Sequence, residues 1–111
     1  MIIRRGEIRW AEFDPVRGQE QAGRRPVLVL SRDSFNVRSG TVIAVALTSQ
    51  PPRAGFPLSL PLKTPTLPRP SWVKISQVRV LAAERISDRL GEASRREIQL
   101  VIAGLNEIIG V

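Results

Sequence analysis

The stretch PVLVLSRDSFNVRSGTVIAVAL (26–47) decides the fold. It holds two almost unbroken apolar runs, Pro26–Ser31 and Thr41–Leu47. Both are the length of strands and too continuous for a sheet with one wet face, so they read as strands buried on both sides or set in a barrel wall. Between them RDSFNVRSG (32–40) is a turn-rich connection with room for one helical turn. Upstream, GEIRWAEF (6–13) puts Ile8 and Trp10 on one face and reads as another strand, ended by Asp14-Pro15. The polar loop VRGQEQAGRR (16–25) then runs ten residues. That is long for a hairpin connection, and long loops in small domains often carry function.

Downstream, TSQPPR (48–53) breaks the strand pattern. Phe56, Leu58, Leu60 and Leu62 alternate with Pro57, Ser59 and Pro61, and two prolines demote that run to an edge strand. KTPTLPRP (63–70) is an extended, Pro-punctuated loop. Trp72–Ile75 and Gln77–Leu81 are the last strand signals, and ERISDRLGE (84–92) reads as polar turn. Ser94-Arg95-Arg96-Glu97 fits a capping box. Ile98, Val101, Ile102, Leu105 and Ile109 then repeat at helical spacing, with Gly110 as the stop. Gly104 inside that helix costs about 1 kcal/mol relative to Ala, which points to a close packing contact. Five or six strands, one C-terminal helix, no repeat and no linker make a single mainly-β domain over residues 1–111. Its expected form is a small β-barrel or curled sheet with the helix packed on it. Open edges and a limited core favour a homodimer.

Of 111 residues, 17 are Lys or Arg and 10 are Asp or Glu, giving a net charge of +7. Absence of Cys excludes a disulfide framework, a thiol nucleophile and thiolate zinc sites. Absence of His excludes a His-based triad, a His-pair ribonuclease mechanism and most transition-metal sites. No apolar run approaches the ~20 residues of a membrane span. The apolar part of MIIRRGEIRW is too short for a secretory signal, so the expectation is a cytoplasmic protein with no membrane partner. The excess charge sits in the middle. Residues 34–83 hold Arg38, Arg53, Lys63, Arg69, Lys74 and Arg79 and no acid. A GC-rich coding bias accounts for Arg over Lys but not for the missing acids. Such a segment suits a polyanion, and the Arg fork pairs phosphate oxygens bidentately.

Two polar clusters stand at the ends of buried strands. QEQAGRRP (19–26) leads into one and TSQ (48–50) leaves the other. Held by a rigid sheet, they can converge on one site. Spacing alone leaves open that Arg25 is a solvated rim charge and Thr48 a strand-end hydroxyl.

The stretch GEIRWAEFDPVRGQEQAGRRPVLVLS (6–31) resembles the opening of MazF/PemK-type toxins, the endoribonuclease halves of toxin–antitoxin pairs. The likeness continues through Asn36, VALTSQ (45–50), GFPLSL (55–60) and SQVRVL (76–81). The resemblance implies an SH3-like barrel with an appended helix, assembled as a homodimer. It implies sequence-selective cleavage of single-stranded RNA, usually mRNA, with no metal and no cofactor. A cognate MazE-like antitoxin would lay an acidic tail over the basic groove. By the same resemblance Arg25 is catalytic, Thr48 is its partner, and Glu20 is tied to activity. Gln77 and Arg79 fall at groove-lining positions, and Gln21, Arg24, Ser49, Gln50 and Arg53 complete the expected RNA-binding set. Ser76, where relatives are often acidic, and the Pro-rich 61–70 segment depart from the family pattern where base selection would be set.

The residue inventory suits that chemistry. Metal-free RNA cleavage uses the ribose 2′-OH as nucleophile and needs a proton acceptor, charge stabilisation at the phosphorane and a proton donor to the 5′-oxygen. A guanidinium stays charged at neutral pH, so Arg25 is assigned charge stabilisation, with the acid role open. Thr48 would donate to the same phosphate, and Glu20 is the candidate base. Among the aromatics Trp10, Phe13 and Phe35 are expected in the core, with Phe56 and Trp72 exposed. Two further readings share the sequence: a toxin of the same fold that poisons a protein such as DNA gyrase, and a non-catalytic RNA-binding barrel.

Overall fold

The structure, a computed structural model, describes residues 2–13 and 23–111. Its strands are β1 (Glu7–Phe13), β2 (Gly23–Val29), β3 (Thr41–Thr48), β4 (Ser59–Leu62), β5 (Ser71–Ala82) and β6 (Ile86–Glu92). Helix α1 (Asp33–Ser39) joins β2 to β3, and α2 (Arg95–Ile109) follows β6. All pairings are antiparallel, in the order β4-β5-β3-β2-β1-β6.

The two apolar runs are buried on both faces, as their continuity requires. Leu28 and Leu30 join Ile8, Val45, Leu47, Val73 and Ile75 in one core, together with Val101 of α2. Val27 and Val29 point the other way, into a second core with Ala11, Val42, Ala44, Leu81 and Ile86.

The sheet does not close into a barrel by strand pairing: β4 and β6 are its edges. Residues 63–70 lie across the gap instead. Leu67 packs against the first core. A Cβ placed on Gly91 of β6 would stand 3.5 Å from Pro65 Cβ and 3.6 Å from Leu67 Cδ2.

Several expectations are corrected. Residues 84–92 are the end of a 3-10 turn (Ala83–Arg85) and then strand β6, not a polar turn. Ser87, Asp88 and Arg89 hide the pattern, while Ile86 is buried and β1 supplies the pairing. The signals at 72–75 and 77–81 are one strand, β5. Val45 pairs with Val78 and Leu47 with Val73, so a bulge in β5 absorbs the apparent break. The 56–62 strand is shorter, because Leu58 N and Ser59 N both donate to Gly55 O in a turn before β4. The edge position of β4 is as its prolines require. Residues 33–39 form a seven-residue helix, more than a single turn.

The capping box of α2 is formed: Ser94 Oγ accepts from Glu97 N at 3.0 Å, and Glu97 Oε1 accepts from Ser94 N at 3.0 Å. Gly110 ends the helix in extended backbone, φ −70°, and not in the left-handed form. A Cβ on Gly104 would approach Ile75 Cδ1 to 2.8 Å and Pro57 O to 3.1 Å, so this glycine does mark a close contact. Among the described residues no helix is long and apolar enough to cross a membrane.

Candidate functional site

Two of the candidate residues, Arg25 and Thr48, stand at the ends of neighbouring strands. β2 pairs with β3 as Val27↔Ala46, Leu28↔Val45 and Val29↔Ala44. The paired ladder ends at Val27↔Ala46, and Arg25 and Thr48 lie two positions further along β2 and β3. Arg25 is opposite Ala11 on β1, and Thr48 is opposite Trp72 on β5. The two residues lie just beyond the buried Val27, Val29 and Ala44, whose packing fixes the register.

The local chemistry of both side chains is open toward a ligand. Thr48 Oγ1 accepts from Gln50 N at 3.1 Å, which orients the hydroxyl and leaves its proton to donate. The Arg25 side chain is exposed and has no hydrogen bond or ion pair among the described residues. A guanidinium offers five N–H donors to an anion.

Arg25 and Thr48 line a cleft of about 720 Å³. One wall is Trp10, Pro26 and Leu47, with Ser49 and Gln50 continuing from Thr48. Leu67, Pro68 and Arg69 of the 63–70 segment, with Ser71 and Lys74 of β5, line the rest of it. The Arg24 guanidinium lies 4.8 Å from the Trp10 ring centroid. Its ion pair with Asp88, at 3.9 Å between exposed groups, adds little.

The structure therefore brings Arg25, Thr48, Ser49 and Gln50 together, with Arg24 stacked on a cleft-wall residue. Arg53, Gln77 and Arg79 do not line this cleft. The first two are exposed, and Arg79 covers the Phe13 ring at 4.4 Å. Glu20 and Gln21 lie outside the described residues. Sequence reasoning misses Arg69 and Lys74 of the cleft as site residues. Their one signal is the acid-free run 34–83 that contains them.

The aromatics are also less buried than expected. Trp10, Phe13 and Trp72 are half-buried, and Phe35 and Phe56 are exposed. Guanidinium groups cover Trp10 and Phe13, which lets each ring stay at the surface. Among the described residues no three Asp or Glu side chains are grouped to hold a metal ion.

Two carboxylates away from the cleft are shifted. Burial pushes Glu7 up, but its hydrogen bonds from Arg9 and the Arg4 amide, with the charges of Arg9 and Arg89, outweigh this and hold it below the usual range. Burial likewise raises Glu97, and the amides of Ser94, Lys63 and Thr64 more than reverse it. Asn36 is structural: buried, it donates through Nδ2 to Ile3 O at 2.9 Å and accepts from Ser31 Oγ.

A curled antiparallel sheet with a C-terminal helix, and a cationic cleft at the mouth of its central strands, define a small β domain suited to an extended polyanion. The family profile described as "PemK-like, MazF-like toxin of type II toxin-antitoxin system" matches residues 4–109. The chain belongs to this PemK/MazF toxin family. It is 38% identical to Endoribonuclease MazF6 of Mycobacterium tuberculosis over 98% of both chains. It is 36% identical to Endoribonuclease EndoA of Bacillus subtilis, over 81% of this chain and 79% of that one. The fold superposes on MazF from Deinococcus radiodurans with a TM-score of 0.81 at 30% identity, covering 100% and 99% of the chains. A MazE–MazF structure from the same organism gives 0.84 at 30% identity, covering 100% and 98%.

Proposed function

We propose that this chain is a toxin endoribonuclease that cuts single-stranded RNA, chiefly mRNA, at a short recognition sequence. The observation that carries the reading is that Arg25 and Thr48, at the ends of the neighbouring strands β2 and β3, line one cleft with Arg69 and Lys74. The family and its endoribonuclease relatives support the same reaction class.

The ribose 2′-oxygen attacks the adjacent phosphorus while the P–O5′ bond breaks. The 2′-OH proton passes to a base, for which Glu20 is the candidate. A second proton goes to the leaving 5′-oxygen. The products are a 2′,3′-cyclic phosphate and a 5′-hydroxyl, with no metal required. Arg25 neutralises the charge that grows on the phosphorane oxygens, where donors count most. Thr48 donates its hydroxyl proton to the same group. Arg69 and Lys74 follow the RNA backbone along the cleft, as cationic grooves do for single strands. The protein acts as a homodimer, and a cognate antitoxin with an acidic segment blocks the cleft. MazE–MazF complexes among the structural neighbours support such a partner.

The test is cleavage of a long natural RNA in EDTA, wild type beside Arg25→Ala, with product ends mapped. Cuts at a recurring short sequence with cyclic-phosphate ends are expected, and the variant should lose about 10²–10³-fold in rate. Cleavage abolished by EDTA, or retained by Arg25→Ala, would overturn the chemistry. Sedimentation at micromolar concentration tests the dimer.

A further inference from the structure

We infer that Glu97 is a positioning residue for the cleft: its carboxylate holds the 63–70 wall in place and so sets which RNA sites are accepted. The inference rests on the ribonuclease reading above.

One buried carboxylate serves two elements. Oε1 accepts from Ser94 N at 3.0 Å and closes the capping box of α2. Oε2 accepts from Lys63 N at 2.7 Å and from Thr64 N at 3.0 Å. A capping box needs only the first of these. The other two bonds tie the chain leaving β4 to the start of α2, across 34 and 33 positions of sequence.

That tie reaches the cleft within a few residues. Leu67, Pro68 and Arg69 line it; Pro65 restricts the backbone between anchor and wall, and Pro68 and Pro70 restrict the wall itself and its exit. Leu67 gives a second hold against the core near Gly91. Burial favours the neutral form, but the amides of Ser94, Lys63 and Thr64, with the Thr64 side chain, hold the carboxyl below the usual carboxylate range. The wall lines the same cleft as Arg25 and Thr48. It therefore meets nucleotides beside the reacting phosphate and not the reacting atoms. Displacing it should change binding and site choice while leaving the chemical step.

Glu97→Gln separates the two duties. A Gln at this position supports a capping box, so the helix start survives. Its single carbonyl oxygen cannot also serve Lys63 and Thr64, and its NH₂ would face their N–H groups. Ser94→Ala is the control, because it removes the other half of the box and leaves the carboxylate on the loop.

The experiment maps cuts on a long natural RNA, measures KM and kcat on the principal site found, and follows amide hydrogen exchange over 63–70. For Glu97→Gln we expect KM raised about fivefold, kcat within about twofold, an altered ranking of sites and faster exchange in 63–70. Ser94→Ala should lower Tm and leave KM and site ranking as in wild type. If Glu97→Gln matches Ser94→Ala in KM, ranking and exchange, Glu97 is only a cap and the inference fails. A fall in kcat at constant KM would also overturn it. Wild-type protein that cuts no RNA would sink the functional reading, and site selection with it. The exchange comparison would then still decide whether the loop is anchored here.

Discussion

At the scale of single residues, the cleft depends on shape as much as on charge. Arg25 has a planar fork able to hold two phosphate oxygens at once, which an ammonium cannot do. Arg25→Lys keeps the charge and should still lower the single-turnover cleavage rate by roughly tenfold or more, with RNA binding little changed. Thr48→Val keeps the volume and removes the hydroxyl proton that the proposed mechanism directs to the phosphate. It also removes the acceptor of the Gln50 amide. We expect a loss of about 10–100-fold in the same assay. Equal rates for Thr48→Val and wild type would leave the hydroxyl without a part in the reaction. Arg25 and Thr48 are legible in the sequence, because they sit in motifs that the family resemblance covers. Arg69 and Lys74 are not. Nothing local in KTPTLPRP (63–70) says that the segment folds back across the cleft.

At the scale of elements, what is local is readable and what is paired at long range is not. The capping box of α2 spans four residues and follows from them alone. β6 carries Asp88 and Arg89 on its exposed side and owes its existence to β1, some eighty residues earlier in the chain. The packing of α2 gives a prediction of its own. Gly104→Ala gains about 1 kcal/mol of helix propensity. The new methyl meets the buried Ile75 and the Pro57 carbonyl, and overpacking of this kind costs about 1–3 kcal/mol. Denaturant unfolding should therefore show Gly104→Ala less stable than wild type by about 1 kcal/mol. A more stable variant would mean that Ile75 and the 56–57 turn give way freely.

At the scale of the whole molecule, charge is segregated along the chain and gathered in space. The acid-free segment supplies Arg69 and Lys74 to the cleft, while β2 supplies Arg25 and, stacked on Trp10 of the lining, Arg24. If these four cations each meet a phosphate, binding of single-stranded RNA should weaken with salt. The slope of log Kobs on log salt should be about −3. Fluorescence titration of a non-cleavable RNA across salt concentrations measures it. A slope near zero would place the binding energy in apolar contacts and not in the cleft's charge.

The shared register of β2 and β3 has an outcome for how such a protein can vary. Val27, Val29 and Ala44 lie in the core, and Arg25 and Thr48 lie further along the same two strands. A slip that displaced Arg25 against Thr48 would also turn the core residues out to water, so a folded descendant keeps the two strand ends in the same relation. The 63–70 wall has no such guarantor. It is held by one carboxylate and a leucine, and can be exchanged without touching the ladder. Diversification under selection is thus channelled toward what is cut, with how it is cut carried along unchanged.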